Sequence, residues 1–182
     1  MTVATLFLIV GLPGAGKTEH AKALAAEHAA LRLTPDEWMI PLFGDPQPAA
    51  KRDVLEGRLI ALALDALWLG TSVVLDFGLW SRDERTSLRW LARSVGASAK
   101  IVYLPVDRMT QIERIQHRWT HTPNETFAIT EADVDSWRSQ FEAPDAAELA
   151  EEQIADPPPA WSDWAAWAAE RWPTSIGDGT PT

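Results

Sequence analysis

We predict an α/β fold, a three-layer sandwich in which a parallel sheet carries helices on both faces. Two observations predict it. Short apolar runs typical of buried strands alternate with longer helix-like segments, and this alternation favours parallel strands joined by helical crossovers. The first apolar run, residues 4–10, leads directly into a glycine-rich stretch and then a helix-like segment. The chain of 182 residues suits one such domain with a single core.

Five elements are expected in the first 70 residues. They are a buried strand over 4–10, a helix over 17–29, a short strand over 31–34, a short helix after Asp36 and a long helix over about 50–69. Asp36 is well placed to cap the short helix, and Gly70 is a suitable C-terminal stop for the long one. The prolines and the glycine between Pro41 and Pro48 predict a turn-rich break between these two helices.

The alternation continues through the second half of the chain. We expect five further elements, which are in order a strand over 72–75 that ends in Asp76, a helix over 82–95 capped by Ser81, a strand over 100–104, a helix over 107–119 and a helix over 130–141. Residues 120–130 lack periodicity and are expected to be mobile. The helix over 82–95 is expected to carry a charged face, formed by Arg82, Asp83, Glu84, Arg85 and Arg89. An acidic helix is expected after Pro144, ended by Asp156 and the three prolines that follow it.

Composition limits the classes of function. The net charge of −10 argues against a polynucleotide substrate, because proteins that grip nucleic acid usually show a basic stripe. The chain has no cysteine, which removes disulfides and zinc–thiolate sites and fits a reducing, cytoplasmic location. No apolar stretch approaches the roughly 20 residues that span a bilayer, and no signal peptide precedes the first strand.

The stretch after the first strand carries the strongest chemical signal. It fits the pattern G-x-x-x-x-G-K-[ST], and its residues are Gly11, Leu12, Pro13, Gly14, Ala15, Gly16, Lys17 and Thr18. Glycines let several backbone N–H groups point at one anion, and the following helix adds its positive N-terminal end. We expect Lys17 to reach the β- and γ-phosphates of a nucleotide and the Thr18 hydroxyl to hold Mg²⁺. The alternative is an ordinary glycine-rich turn, but the flanking strand and helix favour a phosphate-binding P-loop.

Two carboxylates are expected at the same edge of the sheet as the P-loop. Asp36 follows the second strand and Asp76 ends the third, and ligands of open parallel sheets bind beyond the carboxyl ends of strands. Asp76 follows Val73–Leu75 in a Walker B pattern and is expected to orient Mg²⁺; the alternative is a carboxylate that caps a turn. Asp36 is expected to act as the general base toward an acceptor hydroxyl, with or without a capping role.

Further candidates lie on helices near that edge. Arg114 and Arg118 are four residues apart and so share a helix face, from which guanidinium groups would stabilise phosphoryl charge; a solvated face is the alternative. Trp38 and Trp80 would form flat walls for an acceptor, or simply pack in the fold. Arg82 and Arg85 either contact substrate or pair with Asp83 and Glu84. The four histidines show no metal-ligand grouping.

These residues together resemble a family. Gly11–Thr18, Asp36, Val73–Asp76 and the pair Arg114 and Arg118 resemble the P-loop small kinases of the AAA-type ATP-binding branch. Zeta toxins, chloramphenicol phosphotransferase and the kinase domain of polynucleotide 5′-hydroxyl kinases are similar in layout. The stretches 75–82 and 129–144 also resemble that branch, and the resemblance covers about residues 3–150.

The resemblance implies a P-loop NTPase sandwich with a kinase-type parallel sheet and a helical lid over the triphosphate. It implies that Asp36 is the base and that Arg114 or Arg118, in the lid region, contacts nucleotide phosphates or adenine. Two positions depart from the family. Polynucleotide kinases carry an arginine shortly after the catalytic aspartate, whereas residues 37–39 here are Glu-Trp-Met; and the lid-helix Arg118 is followed by Trp119 instead of asparagine.

The sequence therefore predicts a P-loop kinase domain over residues 1–150 and a tryptophan-rich, partly disordered extension over 151–182, which either packs on the domain or mediates dimerisation. The expected function is ATP- and Mg²⁺-dependent transfer of the γ-phosphate to a hydroxyl of a small molecule, such as an antibiotic, nucleoside or sugar. The alternatives are a polynucleotide 5′-hydroxyl kinase and a nucleotide-binding regulator with weak ATPase activity. A monomer and a homodimer are both compatible with the sequence, no membrane partner is expected, and the absence of a guanine motif favours ATP over GTP.

Overall fold

The computed structural model describes residues 3–45, 51–121, 129–151 and 153–176. Within these residues four strands and eight helices follow in the order β1 (Thr5–Val10), α1 (Lys17–Glu27), β2 (Leu31–Leu33), α2 (Asp36–Phe43), α3 (Lys51–Trp68), β3 (Val73–Gly78), α4 (Arg82–Ser94), β4 (Ser98–Tyr103), α5 (Arg108–His121), α6 (Glu131–Gln140), α7 (Ala146–Leu149) and α8 (Trp164–Arg171). None of the described helices combines the length and hydrophobicity that a transmembrane span requires.

The four strands form one sheet in the order β2-β3-β1-β4, and every neighbouring pair is parallel. The central strand β1 pairs with β3 from Leu6 opposite Val73, and with β4 from Thr5 opposite Ser98. Because parallel strands end at the same edge, the segments that follow β1 and β2 meet near the end of β3. The predicted α/β fold with a parallel sheet and helices on both faces is confirmed.

Side chains that alternate along the strands supply a core on each face of the sheet. On one face, Leu8 of β1 and Leu75 of β3 belong to a large buried cluster with residues of α3, α4 and α8. On the other face, Ile9 and Val74 pack with Ala21 of α1. Both faces of a parallel sheet are covered in this way, which explains why the strand sequences are almost wholly apolar.

Two of the boundaries that differ from those predicted bear on the site. Helix α2 continues through Pro41 to Phe43 and ends at Gly44, whose φ of +68° suits a left-handed C-cap, so the expected break begins later than predicted. Strand β3 runs on to Gly78, so Asp76 lies inside the strand and not after it. The rest of the expected break, residues 46–50, and most of the segment expected to be mobile, residues 122–128, lie outside the described residues.

Helix α4 begins as predicted but has a different face. Ser81 forms a capping box, because its hydroxyl accepts from the Glu84 N–H at 3.1 Å while the Glu84 carboxylate accepts from the Ser81 N–H at 3.1 Å. The expected charged outer face is wrong for Arg85 and Arg89, which are 0% and 4% exposed. The Arg85 guanidinium donates to both carboxylate oxygens of Glu148, at 2.8 and 3.0 Å, so its partner is neither Asp83 nor Glu84.

The tryptophan-rich extension packs on the domain over its described residues. Helix α8 lies against α4, and both Ala168 and Trp172 belong to the large core cluster. Ser175, near the end of the described residues, is fully buried, and its hydroxyl donates to the Ala168 carbonyl at 3.2 Å. A Cβ at Gly57 would overlap the Pro173 carbonyl oxygen, so this glycine permits the chain after α8 to lie directly on α3.

Candidate active site

The glycine-rich loop between β1 and α1 has the backbone of a phosphate cradle. Gly14 and Gly16 have φ values of +86° and +85°, a region that L side chains rarely adopt. The loop is held from two sides, because the Gly11 N–H donates to the Gly78 carbonyl at 3.3 Å and the Arg114 guanidinium donates to the Gly14 carbonyl at 3.1 Å. The positive φ values therefore favour glycine at both positions, and Gly16 is one of the two glycines that the motif requires.

Lys17 is the first residue of α1 and the electrostatic centre of the site. Its ammonium group donates to the Leu12 carbonyl at 3.0 Å. Burial lowers the pKa of Lys17, whereas the carboxylates of Asp76 and Asp36 raise that pKa and the charges of Arg118 and Arg52 lower it. Opposite charges favour the ammonium form of Lys17 and like charges disfavour it. The predicted residues Asp36, Asp76 and Arg118 thus all act on the charge of Lys17.

Asp76 is held inside β3, where it is 5% exposed. Its Oδ2 accepts a hydrogen bond from the Arg32 guanidinium at 3.2 Å, and Arg32 also donates to Glu37 at 2.7 Å. Burial raises the pKa of Asp76, while Arg32 and then Lys17 act in the opposite direction. The carboxylate is therefore a buried oxygen donor whose negative charge is supported by two cations.

Asp36 lies where β2 passes into α2, and its side chain is 71% exposed. The expected capping role is wrong, because the N-cap residue is Pro35 and no side chain caps this helix. Instead, the Asp36 carboxylate accepts a hydrogen bond from the Arg52 guanidinium at 2.9 Å. A carboxylate that is open to solvent and oriented by one arginine is able to take a proton from an incoming hydroxyl group.

The remaining predicted residues occupy different parts of this edge. Arg114 and Arg118 are both exposed on α5, and Arg114 contacts the P-loop directly as described above. Trp80 lies beside the end of β3: a Cβ at Gly78 would be 3.4 Å from its indole nitrogen and 3.7 Å from Cε of Lys17. Trp38 is 44% exposed on α2. Arg82 pairs with Asp145 at 3.0 Å.

Three residues of the site were not among those predicted. Arg32 and Arg52 each bridge two carboxylates, and Gly78 has a φ of +95° where β3 meets the loop and the Trp80 ring. No local pattern marks the two arginines, since Arg52 contacts Asp36 across 16 residues and Arg32 contacts Asp76 across 44. The Asp-Phe-Gly ending of β3 was the available signal for Gly78, because an apolar strand that ends in glycine suggests a close backbone approach.

Thr18 and Asp76 carry the oxygen atoms that would hold a Mg²⁺ ion. The exposed Thr18 follows Lys17 at the start of α1, and Asp76 lies on β3 two residues before Gly78, whose Cβ position is 3.7 Å from Cε of that lysine. Among the described residues no group of three or more His, Asp or Glu side chains is arranged to hold a metal. Mg²⁺ commonly takes only one or two protein oxygens and completes its shell with phosphate and water oxygens, so these donors suit an ion shared with a nucleotide.

The sequence matches a family described as an AAA domain over residues 6–144. The chain therefore belongs to the AAA domain family. The match includes the P-loop, Asp36, Asp76 and the described part of α5, and it ends before α7 and α8. No curated protein matches the sequence significantly.

Solved structures share the fold of this AAA domain protein. Kti12 of Chaetomium thermophilum, in complex with ADP-AlF3, has a TM-score of 0.63 and 16% identity, over 94% of this chain and 100% of that one. The APS kinase of Mycobacterium tuberculosis, in complex with AMPPNP and APS, has a TM-score of 0.58 and 18% identity, over 79% and 85%. A chain of the Pnkp1/Rnl/Hen1 RNA repair complex has a TM-score of 0.59 and 20% identity, over 77% of this chain but only 44% of that one. At these identities the likeness shows a P-loop kinase-like fold.

Proposed function

We propose that this protein is an ATP- and Mg²⁺-dependent kinase that transfers the γ-phosphoryl group to a hydroxyl of a small molecule. The observation that carries the proposal is the position of Asp36. Its carboxylate is 71% exposed, and Arg32 links the neighbouring Glu37 to Asp76, on the strand that ends beside Lys17, by hydrogen bonds of 2.7 and 3.2 Å. An acceptor that reaches Asp36 would therefore stand beside phosphates held by Lys17 and the P-loop.

The transfer step uses residues of this chain in distinct roles. Asp36 takes the proton of the acceptor hydroxyl, whose oxygen forms a bond to the γ-phosphorus while the bond from that phosphorus to the β-phosphate oxygen breaks. The P-loop amides and Lys17 hold the phosphates, and Arg118 stabilises the charge that develops on the transferred oxygens. Thr18 and Asp76 would hold a Mg²⁺ ion, which would supply charge neutralisation to the phosphates when bound.

The charge of the site favours a small acceptor over a polynucleotide. Arg32 and Arg52 each form ion pairs with two carboxylates, so neither carries an unneutralised charge for a chain of backbone phosphates. The net charge of −10 acts in the same direction. The exposed Trp38 and the half-buried Trp80 supply apolar surface on the two segments that follow β2 and β3, where an acceptor would bind.

The experiment is radioactive phosphate transfer from [γ-³²P]ATP to a panel of antibiotics, nucleosides, sugars and a 5′-hydroxyl oligonucleotide. Wild type is compared with Asp36→Asn and with the matched control Asp65→Asn, an exposed aspartate on α3. We expect Asp36→Asn to lower transfer about a hundredfold to ten-thousandfold, the range for loss of a general base. AMPPNP affinity, measured by calorimetry, should stay unchanged in both variants.

The outcomes separate the candidate functions. Transfer to a small molecule that Asp36→Asn abolishes supports the proposal. Labelling of the oligonucleotide alone identifies a polynucleotide kinase. AMPPNP binding without turnover on any acceptor indicates a nucleotide-binding regulator, and full transfer by Asp36→Asn removes Asp36 from the role of base.

A further inference from the structure

A continuous set of hydrogen bonds joins the C-terminal segment, residues 153–176, to Asp36. The Trp172 indole N–H donates to Oε2 of Glu56 at 3.0 Å, and the Arg52 Nε donates to Oε1 of the same carboxylate at 2.9 Å. The Arg52 Nη1 then donates to Oδ1 of Asp36 at 2.9 Å. Trp172 and Glu56 are 1% and 5% exposed, whereas the Asp36 side chain is 71% exposed. The inner end of this set is therefore fixed in the core and the outer end faces the site.

Arg171, the residue before Trp172, also connects the C-terminal segment to α3 and α4. Arg171 donates to Asp53 at 2.6 Å and, through two nitrogens, to Oε1 of Glu84 at 3.0 and 2.8 Å. The other oxygen of Glu84 holds the Ser81 N–H in the α4 capping box. The C-terminal segment thus fixes the first turns of both α3, which carries Arg52, and α4, which follows the Trp80 loop.

We propose that Trp172 and Glu56 position Arg52, and through it the Asp36 carboxylate, so that the C-terminal segment forms part of the machinery that activates the acceptor. This rests on the proposed function, in which Asp36 is the base. Trp172 lies outside the family match, which ends at residue 144, whereas Arg52 and Glu56 lie within it.

The physical reason is the mobility of an arginine side chain. A free arginine side chain loses rotamer entropy when it is held in one geometry. Here the buried Glu56 carboxylate holds Nε, so Nη1 is presented to Asp36 in one orientation before any acceptor arrives. Such support of a site by a second layer of hydrogen bonds is what keeps a reacting group in its productive geometry.

The protonation state of Glu56 makes the positioning of Arg52 depend on pH. Burial raises the pKa of Glu56; the charges of Arg52 and Arg171 and the Trp172 hydrogen bond lower that pKa, and Glu84 raises it. Loss of the indole N–H therefore raises the pKa further. Protonated Glu56 holds Arg52 less firmly, so the variant should lose activity at a higher pH than wild type as the solution is acidified.

The test compares Trp172→Phe with Trp164→Phe. Trp164 is equally buried, at 2% exposed, and also donates an indole hydrogen bond, but to the Ala155 carbonyl at 2.8 Å. Phosphate release from MgATP, with water as the acceptor, is measured from pH 5 to 8 together with AMPPNP affinity. We expect Trp172→Phe, but not Trp164→Phe, to lower the rate about threefold to tenfold, as for loss of one hydrogen bond. The AMPPNP affinity should stay unchanged, and the pH below which the rate falls should be higher than in wild type.

The same two variants are then made in the Asp36→Asn background. If Trp172 acts through Asp36, Trp172→Phe causes no further loss there, because the two changes are coupled. An equal loss in wild-type and Asp36→Asn backgrounds, or an equal loss in Trp164→Phe, overturns the inference. Should Trp172→Phe not fold, Glu56→Gln replaces it: the same loss of rate is expected, but without the shift of the pH profile, because glutamine does not titrate. Phosphate release unaffected by Asp36→Asn contradicts the proposed function itself, whereas a loss in Asp36→Asn without one in Trp172→Phe contradicts only the positioning role.

Discussion

The buried ion pair between Arg85 and Glu148 makes the sharpest prediction about stability. Their side chains are 0% and 3% exposed, and two hydrogen bonds join the guanidinium to the carboxylate. Arg85 also donates to the Leu79 and Trp80 carbonyls at 3.2 and 3.3 Å. The pair therefore fixes α7 to α4 and holds the loop that follows β3.

The perturbation is Glu148→Leu, which leaves the Arg85 guanidinium buried without its carboxylate. Removing one partner of a buried pair costs about 3–5 kcal/mol of unfolding free energy, which corresponds to about 6–20 °C in Tm for a domain of this size. Replacing both partners, as in Arg85→Met with Glu148→Leu, removes the uncompensated charge. The double variant should lose only about 1–3 kcal/mol, chiefly because the Leu79 carbonyl is left without its donor.

Urea unfolding, followed by tryptophan fluorescence, measures these values. Lys22→Met is the control, since Lys22 is an exposed surface residue and its replacement should change the free energy of unfolding by at most about 0.5 kcal/mol. Two results would refute the reasoning. One is a loss below about 1 kcal/mol for Glu148→Leu, which would mean that the guanidinium finds water or another partner. The other is a double variant less stable than Glu148→Leu alone.

Two further predictions concern the site. Gly78→Ala places a Cβ 3.4 Å from the Trp80 indole nitrogen and 3.7 Å from Lys17 Cε at a φ of +95°; it should lower stability by about 1–2 kcal/mol through backbone strain and also weaken AMPPNP binding. Gly70→Ala, at a φ of +84° with open space around it, should lose stability to a similar extent but keep its AMPPNP affinity. Calorimetry that finds the same AMPPNP affinity for both variants would contradict the expected crowding of the site by a Cβ at residue 78. Burial raises the pKa of Glu56 in the folded protein above its ordinary value of 4.5. The protonated side chain therefore stabilises the fold at acidic pH, and this contribution is lost as the pH rises through the pKa of Glu56 in the folded protein. Glu56→Gln should not show this loss in urea unfolding at a series of pH values, and parallel curves would contradict the shift.

The parts of the site that local sequence encodes were predictable. The P-loop combines glycines with Lys17 and Thr18 in consecutive positions, and Ser81 with Glu84 forms a capping box within one turn, so a short window contains the whole pattern. Asp76 was identified from the apolar run before it. In each case the residues that determine the structure are neighbours in sequence.

The parts that depend on distant partners were not predictable. Arg85 reads as solvated on a charged helix because its partner Glu148 lies 63 residues later, and an arginine is buried only when such a partner exists. The arginine that orients Asp36 likewise does not lie in α2 with it but comes from α3 as Arg52. Spacing within one helix cannot show either pairing, since one depends on how α4 and α7 pack and the other on how α2 and α3 pack.

The burial of Trp172 also bears on how the chain reaches its native state. The core that begins at Ala4 in front of β1 is completed by Ala168 and Trp172, so its contacts span nearly the whole sequence. Contacts between distant residues form slowly, and a chain made from its N-terminus at about 5–20 residues per second cannot close this core until α8 and Trp172 have been synthesised. Until then the apolar surface of α4 that contacts α8 has no cover, and exposed apolar surface of this kind favours aggregation of the emerging chain.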